Sequence, residues 1–171
     1  MPSRLYDYVG PPDVAASVRG SPAGTPIKSD SDLKAWLAAN RDDMDSAGII
    51  TATFVIDKDG LLRVAGRRTE HVACASGGPV RSAGEMSFTR DGRIDYVSNQ
   101  STGFCPEPES WSAVAVAIND VVASPPRGFS REFIFRRCTN CGQTLVIKDN
   151  WFVCDVCDAD VPTGWNFDTR E

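Results

Sequence analysis

Histidine is almost absent from this chain of 171 residues, which has one, and no apolar run approaches the roughly 18 to 20 residues that cross a bilayer. The opening residues, MPSRLYDYVGPPD, lack the apolar stretch and cleavage site of a secretory leader. The expectation is a cytoplasmic protein with no membrane attachment. Positive charge is also short: 18 Lys and Arg stand against 23 Asp and Glu, for a net charge of -5. Such a balance argues against a protein whose main task is to neutralise a nucleic-acid backbone. No internal repeat or low-complexity tract is present, and the composition excludes collagen-like, coiled-coil and wholly disordered chains. What remains, 42% hydrophobic and 24% charged residues, suits one main core with a small appended module.

The charge is unevenly spread. Residues 94–124 carry no basic side chain and four acidic ones, and residues 138–171 carry two basic and six acidic. Two basic stretches interrupt this acidic chain. One holds Arg63, Arg67, Arg68, Arg81, Arg90 and Arg93, the other Arg127, Arg131, Arg136 and Arg137. They read as solvated strand faces and turns, or as a patch for an anionic ligand or acidic partner.

Residues 1–29 hold five prolines and three glycines, which prevents a long helix or central strand and predicts an extended or partly disordered arm. Ser29, Asp30 or Ser31 can cap a helix over about residues 31–40, with Leu33, Trp36 and Leu37 on one face. From Ile49 the pattern turns to β. IITATFVI, a turn at Asp57-Lys58-Asp59-Gly60 and a return from Leu61 make one hairpin. Pro79 to Phe88, a reversal at Arg90-Asp91-Gly92-Arg93 and Ile94 to Val97 make a second, and the four strands are expected to form a small antiparallel meander. Trp111, Val114, Ala115, Ile118, Val121 and Val122 recur at helical spacing within 107–123, before Pro125-Pro126 stops the pattern. The predicted organisation is an α+β domain over 30–124, a linker at 125–130 and a second unit over 131–171.

That second unit carries the sharpest motif. Cys138-Thr-Asn-Cys141 and Cys154-Asp-Val-Cys157 are two Cys-x-x-Cys pairs separated by 12 residues, and the segment between them reads as a hairpin turning near Asp149-Asn150. Each pair aims two thiolates at one point, and four together make a closed tetrahedral site for structural Zn2+. Disulfides and a redox-active pair are the competing readings, disfavoured by the expected compartment and by the matched second pair. Residues 131–171 resemble a four-cysteine zinc ribbon. Trp151, Trp165 and Phe167 are expected to pack over the ribbon or the main domain, with a partner-facing aromatic patch as the alternative.

A second constellation is weaker. His71, Glu85, Cys74 and Cys105 are raw materials for Cys–His chemistry, with Glu85 or Asn99 as an orienting group, and equally ordinary as structural residues. The candidate catalytic residues are His71, Glu85 and Cys105, in a groove to which Arg81 could contribute. Residues His71-Val-Ala-Cys-Ala-Ser-Gly-Gly-Pro-Val-Arg-Ser-Ala-Gly-Glu85, the turn at Gly92 and Ser101-Thr-Gly-Phe-Cys-Pro106 resemble a domain of plant calmodulin-binding IQ-motif proteins and bacterial toxin-like proteins. That domain has a His-Ser start, a Gly-x-Val-x-x-Ala-Gly strand and a Ser-Gly-His-Tyr-x-Pro turn before a helix, and the likeness spans about residues 52–122. It would place His71 at the first family histidine and Gly77, Gly78, Val80, Ala83 and Gly84 on the glycine-rich strand. Gly103 stands where the second histidine belongs and Phe104 where the tyrosine does, so the resemblance implies a fold rather than a reaction. The calmodulin-binding motif is absent. Together these readings predict a zinc-binding adaptor with a protein partner, associated with a bacterial toxin or defence system. The alternatives are an enzyme acting on an anionic or nucleotide-derived substrate through His71 with Cys105 or Glu85, and a nucleic-acid-binding ribbon.

Overall fold

A computed structural model describes residues 3–167. Seven strands and four short helices follow one another as α1 (Pro12–Ser17), β1 (Thr25–Ile27), α2 (Asp30–Ala39), β2 (Ile49–Asp57), β3 (Leu62–Gly66), α3 (His71–Cys74), β4 (Val80–Thr89), β5 (Ile94–Ser98), α4 (Trp111–Ile118), β6 (Ile134–Arg137) and β7 (Thr144–Ile147).

The first five strands form one antiparallel sheet in the order β1-β3-β2-β4-β5, and β6 and β7 pair separately. The α+β class expected from the sequence is the observed one. The strand order refines it, because a plain meander would set β3 against β4, whereas here β2 lies between them and joins the two hairpins. Its composition suits that central place. Ile50, Ala52, Phe54 and Ile56 point to one buried face and Val55 to the other, so both sides of β2 must be covered.

Each hairpin carries its own turn chemistry. Asp57 Oδ1 accepts from the N–H groups of Asp59 and Leu61, its Oδ2 accepts from Arg63 Nε at 2.9 Å, and Gly60 takes the left-handed conformation the reversal needs. On the far hairpin Thr89 Oγ1 accepts from the N–H of Arg93, with Gly92 at φ 85°.

Ser29 Oγ accepts from the N–H of Asp32 and starts α2, whose Leu33, Trp36 and Leu37 are buried. With Ala113, Val114 and Ile118 of α4 they cover the sheet face made by Phe54, Ile56, Met86 and Phe88. The second predicted helix is shorter than its apolar stripe. A 3-10 turn at Pro108–Ser110 leads into α4, and beyond Ile118 the chain continues in helix-like turns, Asn119 keeping α dihedral angles and the N–H groups of Val121 and Val122 both donating to the Ile118 carbonyl, so that Val121 and Val122 still reach the core.

The opposite face, with Val55, Val80 and Ala83, is covered by Tyr6 of the N-terminal segment, Val72 and Cys74 of α3 and Phe104 of the loop after β5. Tyr6 and Val80 exchange backbone hydrogen bonds at 2.7 and 3.0 Å. Proline limits what the segment can form: α1 has six residues with Pro12 at its start, and β1 is an edge strand that includes Pro26.

The junction between the sheet and the cysteine-bearing unit is built on Asn99. Its Nδ2 donates to the carbonyls of Pro106 at 2.9 Å and Phe133 at 2.8 Å, and its Oδ1 accepts from the N–H of Phe133 at 2.7 Å. The side chain is fully buried, so each of these bonds replaces one to water. Close approach at this corner also requires Gly84, where a Cβ would lie 1.8 Å from the Ser98 carbonyl oxygen. Replacing Asn99 with Ala strands the Phe133 amide and two carbonyls, and an expected loss of about 3 kcal/mol of folding stability should be read by urea denaturation.

Candidate metal centre

The two cysteine pairs adopt nearly the same local structure. Cys138 N–H donates to the Gln143 carbonyl at 2.9 Å, and Cys154 N–H to the Ala159 carbonyl at 2.8 Å. The Gly142 N–H returns to the Cys138 carbonyl, and the Asp158 N–H to that of Cys154, both at 2.9 Å. Each knuckle therefore needs a left-handed residue just after its second cysteine. Gly142 meets this at φ 79°; Asp158 meets it at φ 61°, in a region that Asp tolerates better than most residues. Backbone N–H groups of Cys141 and Val156 point at the sulfurs of Cys138 and Cys154.

The paired strands flank the first knuckle, with Ile134 opposite Ile147 and Arg137 opposite Thr144. The expected reversal at Asp149-Asn150 is present, both residues having positive φ, but its two limbs do not form a ladder. The second knuckle is held instead by a single bridge between Val153 and Asp160 and by the Val161 N–H to Phe152 carbonyl bond.

These folds bring the four sulfurs within 4.8 Å of one another. Across the two knuckles, Cys138 and Cys157 sulfurs are 3.5 Å apart and Cys141 and Cys154 sulfurs 3.7 Å. Four thiolates at about 2.3 Å from a central ion would be about 3.8 Å apart, whereas a disulfide requires about 2.05 Å. The cluster can thus hold a metal ion, and its closed four-sulfur set keeps no position for water. Its electrostatics suit a cation. The Asn140 amide donates to Cys157 Sγ at 3.4 Å and, with the backbone N–H of Ala159, lowers that thiol to about 6. At Cys141 the N–H of Gln143 favours the thiolate, but desolvation and the three neighbouring sulfurs prevail and hold the thiol at about 12. A central cation removes the conflict by stabilising four thiolates together.

Around the centre lies a small core of Leu145, Ile147 and Val161, joined to the sheet domain by polar contacts. Arg136, only 5% exposed, donates from Nη1 to Glu107 Oε1 at 2.6 Å and from Nε and Nη2 to the Thr163 carbonyl. Trp165 Nε1 donates to the Cys105 carbonyl at 2.8 Å, and its ring packs against Tyr6 with Arg4 over its face. Trp165 and Phe167 are therefore packing residues, as expected. Trp151 is a correction: it is 70% exposed and covers no core. The basic stretch at 127–137 is only partly absorbed into packing: Arg136 is buried and the half-buried Arg137 lies over Phe167, whereas Arg131 lies over Phe133 but stays exposed, as does Arg127.

The second constellation lies elsewhere. His71 opens α3, and its Nε2 is 2.9 Å from the Gly84 carbonyl oxygen. Burial lowers its pKa against the opposing pull of that bond and of Glu85 and Glu70, so the ring is neutral at pH 7. Cys74 sits in the core under the N-terminal segment, and Cys105 in a separate cluster with Phe133, Phe135 and Phe167. Both thiols are fully buried, and desolvation pushes each up to about 12. Their Sγ atoms donate to the carbonyls of Arg63 and Thr102. Arg81 ties the backbone of Lys58 to that of Ser3. The Glu107–Arg136 pair, which the sequence reading missed, joins residues 29 positions apart that no local pattern connects.

Compared with known proteins, the chain matches no family model, no curated protein and no solved structure.

Two outcomes follow for the cysteines. Metal analysis of the purified protein should give one ion per chain, lost in Cys154→Ser, and chelation should abolish amide protection at Leu145 and Ile147 while β2 and β4 stay protected. In the native, metal-loaded protein, neither Cys74 nor Cys105 should react with a disulfide reagent at pH 7, and both should react once urea unfolds the sheet.

Proposed function

We propose that this protein is a zinc-stabilised adaptor whose ribbon binds a basic segment of another protein. Zinc is the ion that fits a closed set of four soft thiolates, and its coordination contributes on the order of 10–16 kcal/mol to modules of this kind. A unit with so few core side chains depends on that contribution. The observation that carries the reading is Trp151, a large aromatic surface left in water three residues before a metal ligand. Val156, within the second knuckle, is 64% exposed as well. Lone apolar side chains on a surface need no explanation, but tryptophan is the residue type most enriched at the energetic centre of protein interfaces.

Charge names the partner's chemistry. Asp149, Asp155, Asp158 and Asp160 are all exposed on the part of the ribbon from Cys138 to Phe167, against Lys148. A zinc ion with four thiolates adds about two further negative charges. A lysine- or arginine-bearing segment satisfies these carboxylates and can lay a cation over the indole ring. The same field repels nucleic acid, and of the arginines that would have served it Arg136 and Arg137 are engaged in packing. An enzyme built on Cys105 has no support from a thiol buried and held protonated. The free-thiol ligands suit a reducing cytoplasm, and no helix among the described residues is long and apolar enough to cross a membrane. The toxin or defence association rests on the resemblance of residues 52–122.

The test is affinity purification of the full-length protein from its own host, alongside Trp151→Ala and an Asp149→Asn/Asp155→Asn variant, each checked for retained zinc. A polypeptide held by the parent protein should be released by moderate salt. Its affinity should fall about thirtyfold in Trp151→Ala, the loss of a hot-spot side chain. A companion that binds all three proteins equally well would sink the proposal, as would finding none at low salt.

A further inference from the structure

Far from the cysteines in the sequence, the end of α2, the 3-10 turn at Arg41–Asp43 and the β4–β5 turn enclose a cleft of about 570 Å3. That volume is within the range of small-molecule sites. Leu37, Ala38 and Met44 supply apolar wall, and Lys34, Arg41 and Arg90 supply the charge. Lys34 is engaged by Asp30 at 2.8 Å. Arg41 and Arg90 are different: among the described residues their guanidinium groups make no hydrogen bond and no ion pair.

Their freedom is notable because carboxylates are near in the chain. Neither Asp42 nor Asp43 pairs with them, and Asp91, the acidic residue in the cleft wall, accepts a hydrogen bond from the Thr89 hydroxyl. Nor is Arg41 needed to cap α2. Asn40 does that, its backbone N–H and its Nδ2 both donating to the Trp36 carbonyl, the latter at 2.8 Å. Gly48 leaves open the space beside Arg90, whose Nη2 would be 3.8 Å from a Cβ there. Two unpaired planar forks beside an apolar wall suit a dianion with a hydrophobic body, since a guanidinium binds phosphate oxygens in pairs.

We propose that the cleft between α2 and the β4–β5 turn binds an organic phosphate monoester, with Arg41 and Arg90 on the phosphate and Leu37, Ala38 and Met44 against the organic part. This site is independent of the ribbon and its partner. Full-length, metal-loaded protein titrated with phenyl phosphate at low ionic strength tests it, by calorimetry and by the Met44 methyl signal. Saturable binding with a shifted Met44 methyl is expected. Arg41→Gln and Arg90→Gln should each weaken it about tenfold or more, and the double variant should abolish it. Both arginines are exposed and unbonded, so an unchanged unfolding midpoint will show that the variants remain folded. No saturation, or the same affinity in the double variant, would overturn the site. Equal binding of phenol would overturn its anionic character, and equal binding of benzoate its assignment to phosphate.

Discussion

The three hydrogen bonds of the Asn99 amide determine how everything after the sheet is arranged. A buried amide that bonds both the N–H and the carbonyl of Phe133 imitates a strand neighbour, and it does so where β5 has ended. It thereby continues the sheet's edge into the ribbon without a further strand. Just before it, Ser130 N–H donates to the Val97 carbonyl, and Ser98 forms a parallel bridge with Arg131. The third bond, to the Pro106 carbonyl, fixes the loop that leads into α4. One side chain thus sets the sheet edge, the approach to the second covering helix and the entry of the cysteine-bearing unit.

The same junction explains two otherwise costly features. Cys105 has a left-handed backbone, at φ 47°, which is uncommon for a side chain of any kind. Its carbonyl accepts from Trp165 Nε1 and its N–H donates to the Ser101 carbonyl, so tertiary bonds hold the turn in that geometry. Arg136 and Glu107 form a nearly buried ion pair, whose desolvation would make it a poor source of stability in isolation. Here the guanidinium also donates to the Phe135 and Thr163 carbonyls, so its donors are occupied on both units. Such a pair aligns more than it stabilises. With one partner in the loop before α4 and the other on β6, it sets the angle at which the ribbon sits.

Local chemistry was readable from the chain, and long-range closure was not. The Ser29 cap, the Asp57 turn and the β-branched run of β2 act over a few residues, and each element formed where its pattern placed it. The cysteine spacing was legible for the same reason, since each knuckle is closed by hydrogen bonds within six residues. The strand order was not, because the choice of β2 rather than β3 as neighbour of β4 depends on which strand must be covered on both faces. Trp151 misled because composition cannot distinguish an aromatic residue that fills a core from one beside a core already filled by Leu145, Ile147 and Val161. Asn99 looked like an orienting group for catalysis; its amide is consumed in holding backbone.

Net charge conceals a division within the molecule. An acidic ribbon and a small basic cleft coexist at -5 overall, and electrostatic screening over about 8 Å at physiological ionic strength lets each be felt separately. With zinc bound, as proposed, the ribbon's negative field would have two sources with different persistence. Its aspartates are exposed and screened, whereas the charge of a tetrathiolate zinc site is a fixed property of the coordination and stays while the metal does. A basic partner would therefore sense the metal electrostatically as well as through the fold it maintains. On that reading the metal's structural role and an affinity of the ribbon for cations would be one property, because loss of the ion would remove the scaffold and rearrange the charge together.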